Sequence, residues 1–255
     1  MADVLFDLDP AGIATVTLNR EKRKNGITKS VIDEALEILS GLAQDGACRV
    51  VVLTGAGSAF CAGMDLSAPI EPDEFTFMRR VGELCRAVYE FPTPVIAKVR
   101  GAAMGFGANL ALCADLVVAD DTAVFGEVFA DRGLTVDGGG TWLVPRRVGL
   151  GKAKELLLLA AKTPARDALA MGLINRCVGP DELDGAVAEW AGRLADGPKR
   201  ALGSIKQNLN ASSERSFQDA LASEALAQVW AFGSKESREG VKSFFEKRAP
   251  DFRSC

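Results

Sequence analysis

Two stretches of this 255-residue chain repeat one pattern, and that repeat constrains the fold more than any other feature. From Val50 an apolar, mostly β-branched run ends in Thr54-Gly55-Ala56-Gly57, and Phe60-Cys61-Ala62-Gly63-Met64-Asp65-Leu66 follows. A second run starts at Val95, and Gly101-Ala102-Ala103-Met104-Gly105-Phe106-Gly107 then leads into the apolar stretch 108–114. Short unbroken apolar runs bounded by turns read as parallel strands buried on both faces. Gly55 and Gly101 are 46 residues apart, so strand, glycine turn and helix recur like successive turns of a ββα superhelix. Each turn offers free backbone N–H groups at the same end of the stack, where they can hold an oxyanion. A third turn begins with 115–119 and 123–125 and continues to Leu134-Thr135-Val136-Asp137-Gly138-Gly139-Gly140-Thr141-Trp142.

The rest of the chain fits around this α/β core. Val4 to Leu8 and Ile13 to Leu18 read as a hairpin across Asp9-Pro10-Ala11-Gly12. Thr28 is the expected N-cap of a helix carrying Val31, Ile32, Ala35 and Leu39. The turn at Gly63 is expected to open a helix. A segment with Pro69 and Pro72 precedes a further helix over 73–89, striped by Phe77, Val81, Leu84 and Val88. Helical periodicity returns over 152–161, 164–171 and 180–195, with a short strand at 174–178. Gly197-Pro198 marks the expected boundary between a superhelical core, 1–196, and a helical region, 197–255, for oligomerisation and cover of the substrate pocket.

The absence of histidine removes Ser-His-Asp and Cys-His catalysis and the usual catalytic zinc sites, so acid–base chemistry falls to carboxylates. A net charge of −4 without a basic stripe argues against nucleic acid. The N-terminus MADVLFDLDP has no leader pattern, and no apolar run approaches the roughly 18 residues of a membrane span. A cytoplasmic protein is expected, its six scattered cysteines acting as small apolar residues. Gly55-Ala56-Gly57 fails as a dinucleotide fingerprint because Phe60 stands where the third glycine belongs.

The strings GAGSAFCAGMDL, RGAAMGFGANLALCADLVVA, GLTVDGGGTWLVPRRVG and SREGVKSFFEKRAPDF together resemble the crotonase (enoyl-CoA hydratase/isomerase) superfamily along essentially the whole chain. The resemblance implies a crotonase-type ββα superhelix and a thioester carbonyl held by the N–H groups of Met64 and Phe106. Ala62, Gly63, Asp65, Leu66 and Gly105 flank those donors. The glutamates that hold water in the family's hydratases have Asn109 and Phe129 in their places, which argues against the usual hydration. Asp137 matches the acid of the enoyl-CoA isomerases, and GLTVDGGGTWLVPR is especially similar to the 1,2-epoxyphenylacetyl-CoA isomerase branch. Burial among Phe106, Phe129, Leu134 and Trp142 would raise the Asp137 pKa. The resemblance also places Lys22, Arg23 and Asn25 in the adenine and phosphate region of CoA. It puts Phe244 and Lys247 where a C-terminal helix reaches a neighbouring subunit's CoA, in trimers or dimers of trimers. No cofactor is implied beyond the CoA of the substrate.

The residues themselves leave alternatives for each acid. Asp137 stands before a helix and would serve as its N-cap. Glu127 follows Phe125-Gly126 and is a secondary acid candidate; Asp65 suits a helix start, and Asp131-Arg132 an ion pair or subunit contact. Phe75, Phe77 and Met78 join the aromatic residues as candidates for an apolar acyl pocket. The expected function is an acyl-CoA isomerase acting through a thioester enolate, by double-bond shift or by epoxide or oxepin rearrangement. A hydratase with unusual acid–base groups and a non-catalytic acyl-CoA binding protein are the alternatives.

Overall fold

The computed structural model describes residues 2–68 and 73–255. The expected segment with Pro69 and Pro72 lies outside them. The strands are β1 (Val4–Leu8), β2 (Ile13–Leu18), β3 (Val50–Gly55), β4 (Val95–Val99), β5 (Ala102–Met104), β6 (Leu116–Asp120), β7 (Val124–Gly126), β8 (Lys162–Pro164) and β9 (Arg176–Val178). The main sheet runs β1-β2-β3-β4-β6-β9, antiparallel at the hairpin and parallel thereafter. Val16, Leu53, Ala97 and Val117 lie side by side across it, all buried.

The unbroken apolar strands are explained by cover on both faces. Helices α1 (Lys29–Gln44) and α2 (Glu74–Tyr89) bury Val31, Ile32, Leu39, Val81 and Leu84 in the cluster that holds Val51, Leu53 and Ala97. Val50, Val52, Ile96 and Val118 face the other way, in a cluster with Leu183, Ala186 and Val187 that sets part of a later helix against that side. At roughly 1.5–3 kcal/mol per fully buried aliphatic side chain, these strands are the main apolar anchor of the fold. Thr28 caps α1, accepting from the Val31 N–H at 3.4 Å.

The second layer is the sheet β5-β7-β8, extended by single bridges from Ala103 to Cys61 and from Met64 to Ile27. Two expectations need correction here. The turn at Gly63 opens no helix: Met64 pairs with Ile27, and the Asp65 carboxylate accepts from the Ser67 N–H and hydroxyl instead of starting a helical turn. The glycine stretch 101–107 is not all turn, since β5 lies within it before helix α3 (Phe106–Leu112).

After β7 the chain continues through α4 (Gly140–Val148), α5 (Leu150–Leu158), α6 (Ala165–Ala170) and α7 (Leu183–Ala195), the last being the helix that covers the far face of the main sheet. Arg147 of α4 donates to the carbonyls of Leu112, Ala114 and Leu173, which fixes α4 against the end of α3.

The C-terminal helices are α8 (Lys199–Ala211), α9 (Phe217–Phe232) and α10 (Lys235–Glu246). Lys206 ties α8 to the core by meeting Asp115 at 2.8 Å and the Thr93 carbonyl at 3.2 Å. Burial raises the Asp115 pKa and lowers that of Lys206, so each depends on the other to stay charged. No residue of α9 is buried, and Trp230 is 81% exposed. Among the described residues no helix is long and apolar enough to cross a membrane.

Candidate active site

The two glycine turns meet at the end of the second layer. The Cys61 N–H donates to the Ala102 carbonyl and the Met104 N–H to the Cys61 carbonyl, so the chain leaves both segments side by side. Gly63 then takes φ +91° and Gly105 φ +53°, conformations that an L side chain rarely adopts. A methyl group on Gly63 would stand 2.7 Å from the Met104 carbonyl oxygen and 3.8 Å from the Phe106 nitrogen. The next two N–H groups, of Met64 and Phe106, have no hydrogen-bond partner among the described residues. Two adjacent unpaired N–H groups of this kind form a site for a developing oxyanion.

Behind these donors lie two acids. The Gly126 carbonyl accepts from the Gly105 N–H, which sets the following residue, Glu127, directly behind the second turn. Glu127 is 5% exposed, and its Oε2 has no partner among the described residues. Burial, reinforced by the charge of Asp137, pushes its pKa up to about 7, against the opposing effect of a hydrogen bond from Asn109. Asp137 is half-buried with its Oδ1 likewise enclosed and unpaired, and burial pushes it up to about 6. It does not cap α4: Gly139 holds that position without a side-chain bond.

Asn109, fully buried on α3, reaches the Asp137 turn. Its Nδ2 donates to the Asp137 backbone carbonyl at 2.9 Å, while its Oδ1 is enclosed and unpaired. The glycines beside Asp137 make room for it, since a methyl group on Gly140 would stand 2.5 Å from Asn109 Nδ2, and one on Gly138 3.0 Å from Asn109 Cβ. Three inward acceptors, on Asn109, Glu127 and Asp137, are therefore left for a bound group. Each buried unpaired polar group costs on the order of 1–3 kcal/mol, a cost that persists where function needs it.

Around this centre Phe106 and Phe129 are buried, and the Phe129 ring stands 3.6 Å from where a Gly105 side chain would begin. Trp142 is half-buried, edge-on to Tyr89 at 5.4 Å between ring centres, with the Arg146 guanidinium 3.8 Å above it. Of the other apolar candidates, Phe77 is partly buried against the core, whereas Phe75, Met78, Leu66 and Leu134 are exposed.

The loop 22–25 lies beside the first glycine turn, where the Ala62 N–H donates to the Lys24 carbonyl. Lys22 and Arg23 are exposed. Asn25 is buried, and its amide donates to the carbonyls of Ala56 and Ala59 and accepts from the Arg20 N–H, so it shapes the loop. Arg20 in turn binds Asp65 at 3.0 Å, which occupies that carboxylate. A groove of about 490 Å³ next to Ala62 and Met104 gathers Lys24, Arg132 and Lys162. Asp131 and Arg132 form no ion pair with each other among the described residues; Arg132 donates to the Val128 carbonyl. Phe244 and Lys247 are exposed at the end of α10, outside this cluster.

The sequence ranks Glu127 second, offers Arg132 only as an ion-pair or subunit-contact partner of Asp131, and assigns no role to Lys162 or Arg147. A lone acid inside Phe125-Gly126-Glu127-Val128-Phe129 was the available signal for the first. The cations carry no local pattern, because the tertiary fold alone assembles them.

The chain is similar to known proteins along almost its whole length. The model of the enoyl-CoA hydratase/isomerase family matches residues 9–254. The chain is 39% identical to a probable enoyl-CoA hydratase of Rhodobacter capsulatus over 94% of each chain. It is 37% identical to the 1,2-epoxyphenylacetyl-CoA isomerase of Escherichia coli K12, over 94% of this chain and 95% of that one. A putative enoyl-CoA hydratase of Streptomyces coelicolor, 36% identical, superposes with a TM-score of 0.92 over 98% of this chain and 94% of its own. The ββα architecture is thus of the crotonase type, and the chain belongs to the enoyl-CoA hydratase/isomerase family.

Proposed function

We propose that the chain is an acyl-CoA isomerase in which Asp137 and Glu127 move the proton. The observation that carries this reading is the buried acid pair behind two unpaired N–H groups, with an uncharged Asn109 between the acids. The N–H groups of Met64 and Phe106 take the thioester oxygen as it becomes an enolate oxygen. Each such donor is worth roughly 2.7–4 kcal/mol in the transition state. The Asp137 carboxylate removes a proton from carbon, the electron pair moves onto the thioester oxygen, and a proton returns further along the acyl chain. Glu127, protonated while Asp137 is charged, holds the second proton. The same pair suits rearrangement of an epoxide or oxepin on an aromatic acyl group, and the 37% identity to the Escherichia coli isomerase supports that branch.

Lys24, Arg132 and Lys162 suit the phosphates of CoA, alongside Lys22 and Arg23. Residues 197–255 are assigned to subunit contact and pocket cover, in a homotrimer or dimer of trimers. The support is a cleft of about 1190 Å³ between α8 and α9, lined by Ile205, Leu209, Leu221, Val229 and Trp230.

One observation favours a second reading. Three enclosed acceptors without partners form a place for water, as a hydratase needs. Product mass separates the two. Incubated with a 3-enoyl-CoA, an isomerase returns a 2-enoyl-CoA of unchanged mass. With crotonyl-CoA a hydratase yields a product heavier by one water. Accumulation of the hydroxyacyl-CoA at enzymatic rates overturns the isomerase reading, and tight binding of CoA esters with no turnover overturns both.

A further inference from the structure

We propose that Asn109 is the positioning residue of the acid pair: its carboxamide holds the Asp137 turn against α3 and keeps a third carboxylate out of the acids' buried volume. This rests on the acid–base reading above and adds to it which group sets the pair's geometry.

Asn109 Nδ2 donates to the Asp137 carbonyl at 2.9 Å, so the amide side of the group faces the Asp137 turn, and Oδ1 is enclosed without a partner. The orientation is set by the acceptor it meets, and the space it fills is kept open by Gly138 and Gly140, where a methyl group would stand 3.0 Å from Asn109 Cβ and 2.5 Å from its Nδ2. The helix that carries Asn109 is itself anchored, because Arg147 binds the carbonyls of Leu112 and Ala114 and so holds the end of α3 against α4. A carboxylate at 109 would have no proton to give the Asp137 carbonyl and would stand as a third acid among groups already short of solvent.

The other titratable groups set against the pair are thiols. Cys113, after α3, donates to the Gly138 carbonyl at 3.8 Å. Cys85 of α2 is held well above the ordinary thiol range by its contact with Cys113 and by burial, and it stays neutral. Neither supplies a cation, and no ion pair reaches Glu127 or Asp137 among the described residues.

The test is a titration of the substrate-free protein, which reads the acids whether or not the reaction has been assigned correctly. Infrared difference spectra with labelled carboxyl groups follow each protonation in the wild type, Asn109→Asp and Asn109→Ser. In the wild type the two carboxyls of the pair should titrate near pH 6 and 7. Asn109→Asp, nearly isosteric, should add a third and move the pair upward by at least about one unit. Asn109→Ser, too short to reach the Asp137 carbonyl, should shift the Asp137 titration and lower kcat roughly 10–100-fold at little changed KM, as misplacement of a catalytic group does. Folded variants whose carboxyls titrate as in the wild type overturn the proposal. A wild type that titrates as stated but isomerises no acyl-CoA overturns the function reading and leaves this one standing.

Discussion

Replacing Asp137 by Asn should stop the reaction and, above neutral pH, make the protein more stable. Burial lifts the Asp137 pKa from 3.8 to about 6. At 1.36 kcal/mol per pKa unit, a charged Asp137 costs the fold at most about 3 kcal/mol relative to the unfolded chain. The side chain is only half-buried, so solvent reduces that to about 1–3 kcal/mol. The sign follows from a folded pKa above the unfolded one: the acid imposes no cost below about pH 4, the cost grows as pH rises towards 6, and it is complete above that.

Asn carries no charge at any pH and so avoids the cost. Chemical denaturation of wild type and Asp137→Asn should give equal stabilities near pH 4 and a variant about 1–3 kcal/mol more stable at pH 8, a rise in Tm of several degrees for a chain of this length. Turnover of a 3-enoyl-CoA should fall about 10²–10⁴-fold, the usual contribution of a positioned general base, while CoA-ester binding persists. A stability difference that is independent of pH, or a variant less stable at pH 8, refutes the burial argument. Near-wild-type turnover refutes the catalytic one.

Glu127→Gln should abolish the limb of the pH–rate profile that falls near pH 7 and lower kcat; a profile still falling there assigns the limb to another group. Gly63→Ala must clear the Met104 carbonyl and give up φ +91°, so it should displace the Met64 N–H and cost about 10²–10³-fold in kcat, measured on the same thioester. Trp230→Glu on exposed α9 should lower the sedimentation coefficient of the assembly without changing the helical circular dichroism of the chain; an unchanged sedimentation coefficient removes α9 from the subunit contact.

How much of this was legible in the sequence follows from how each feature is encoded. β3 and β4 are written as unbroken apolar runs because α1 and α2 cover one face and α7 the other, and local pattern reports burial directly. β5, β7 and β8 have three residues each, too few for any period to show, so β5 reads as a glycine turn and β8 falls unmarked between helical stretches, although this layer fixes where Met64 and Phe106 lie. The acid pair sits at the same limit. Asp137 stands in a run that resembles a family motif, and its neighbours Gly138 and Gly140 look like parts of a turn. Their second purpose is to admit Asn109, which is 28 residues away in sequence. Glu127 becomes a partner of Asp137 only because β7 ends beside the Gly105 turn, a contact between strands of different superhelical turns. Charge perturbation is thus a property of tertiary juxtaposition: a residue's own segment sets its identity, and the segments that enclose it set its pKa. The glycines at 138 and 140 are the one trace of that enclosure left in the sequence, since they record the space a distant side chain needs.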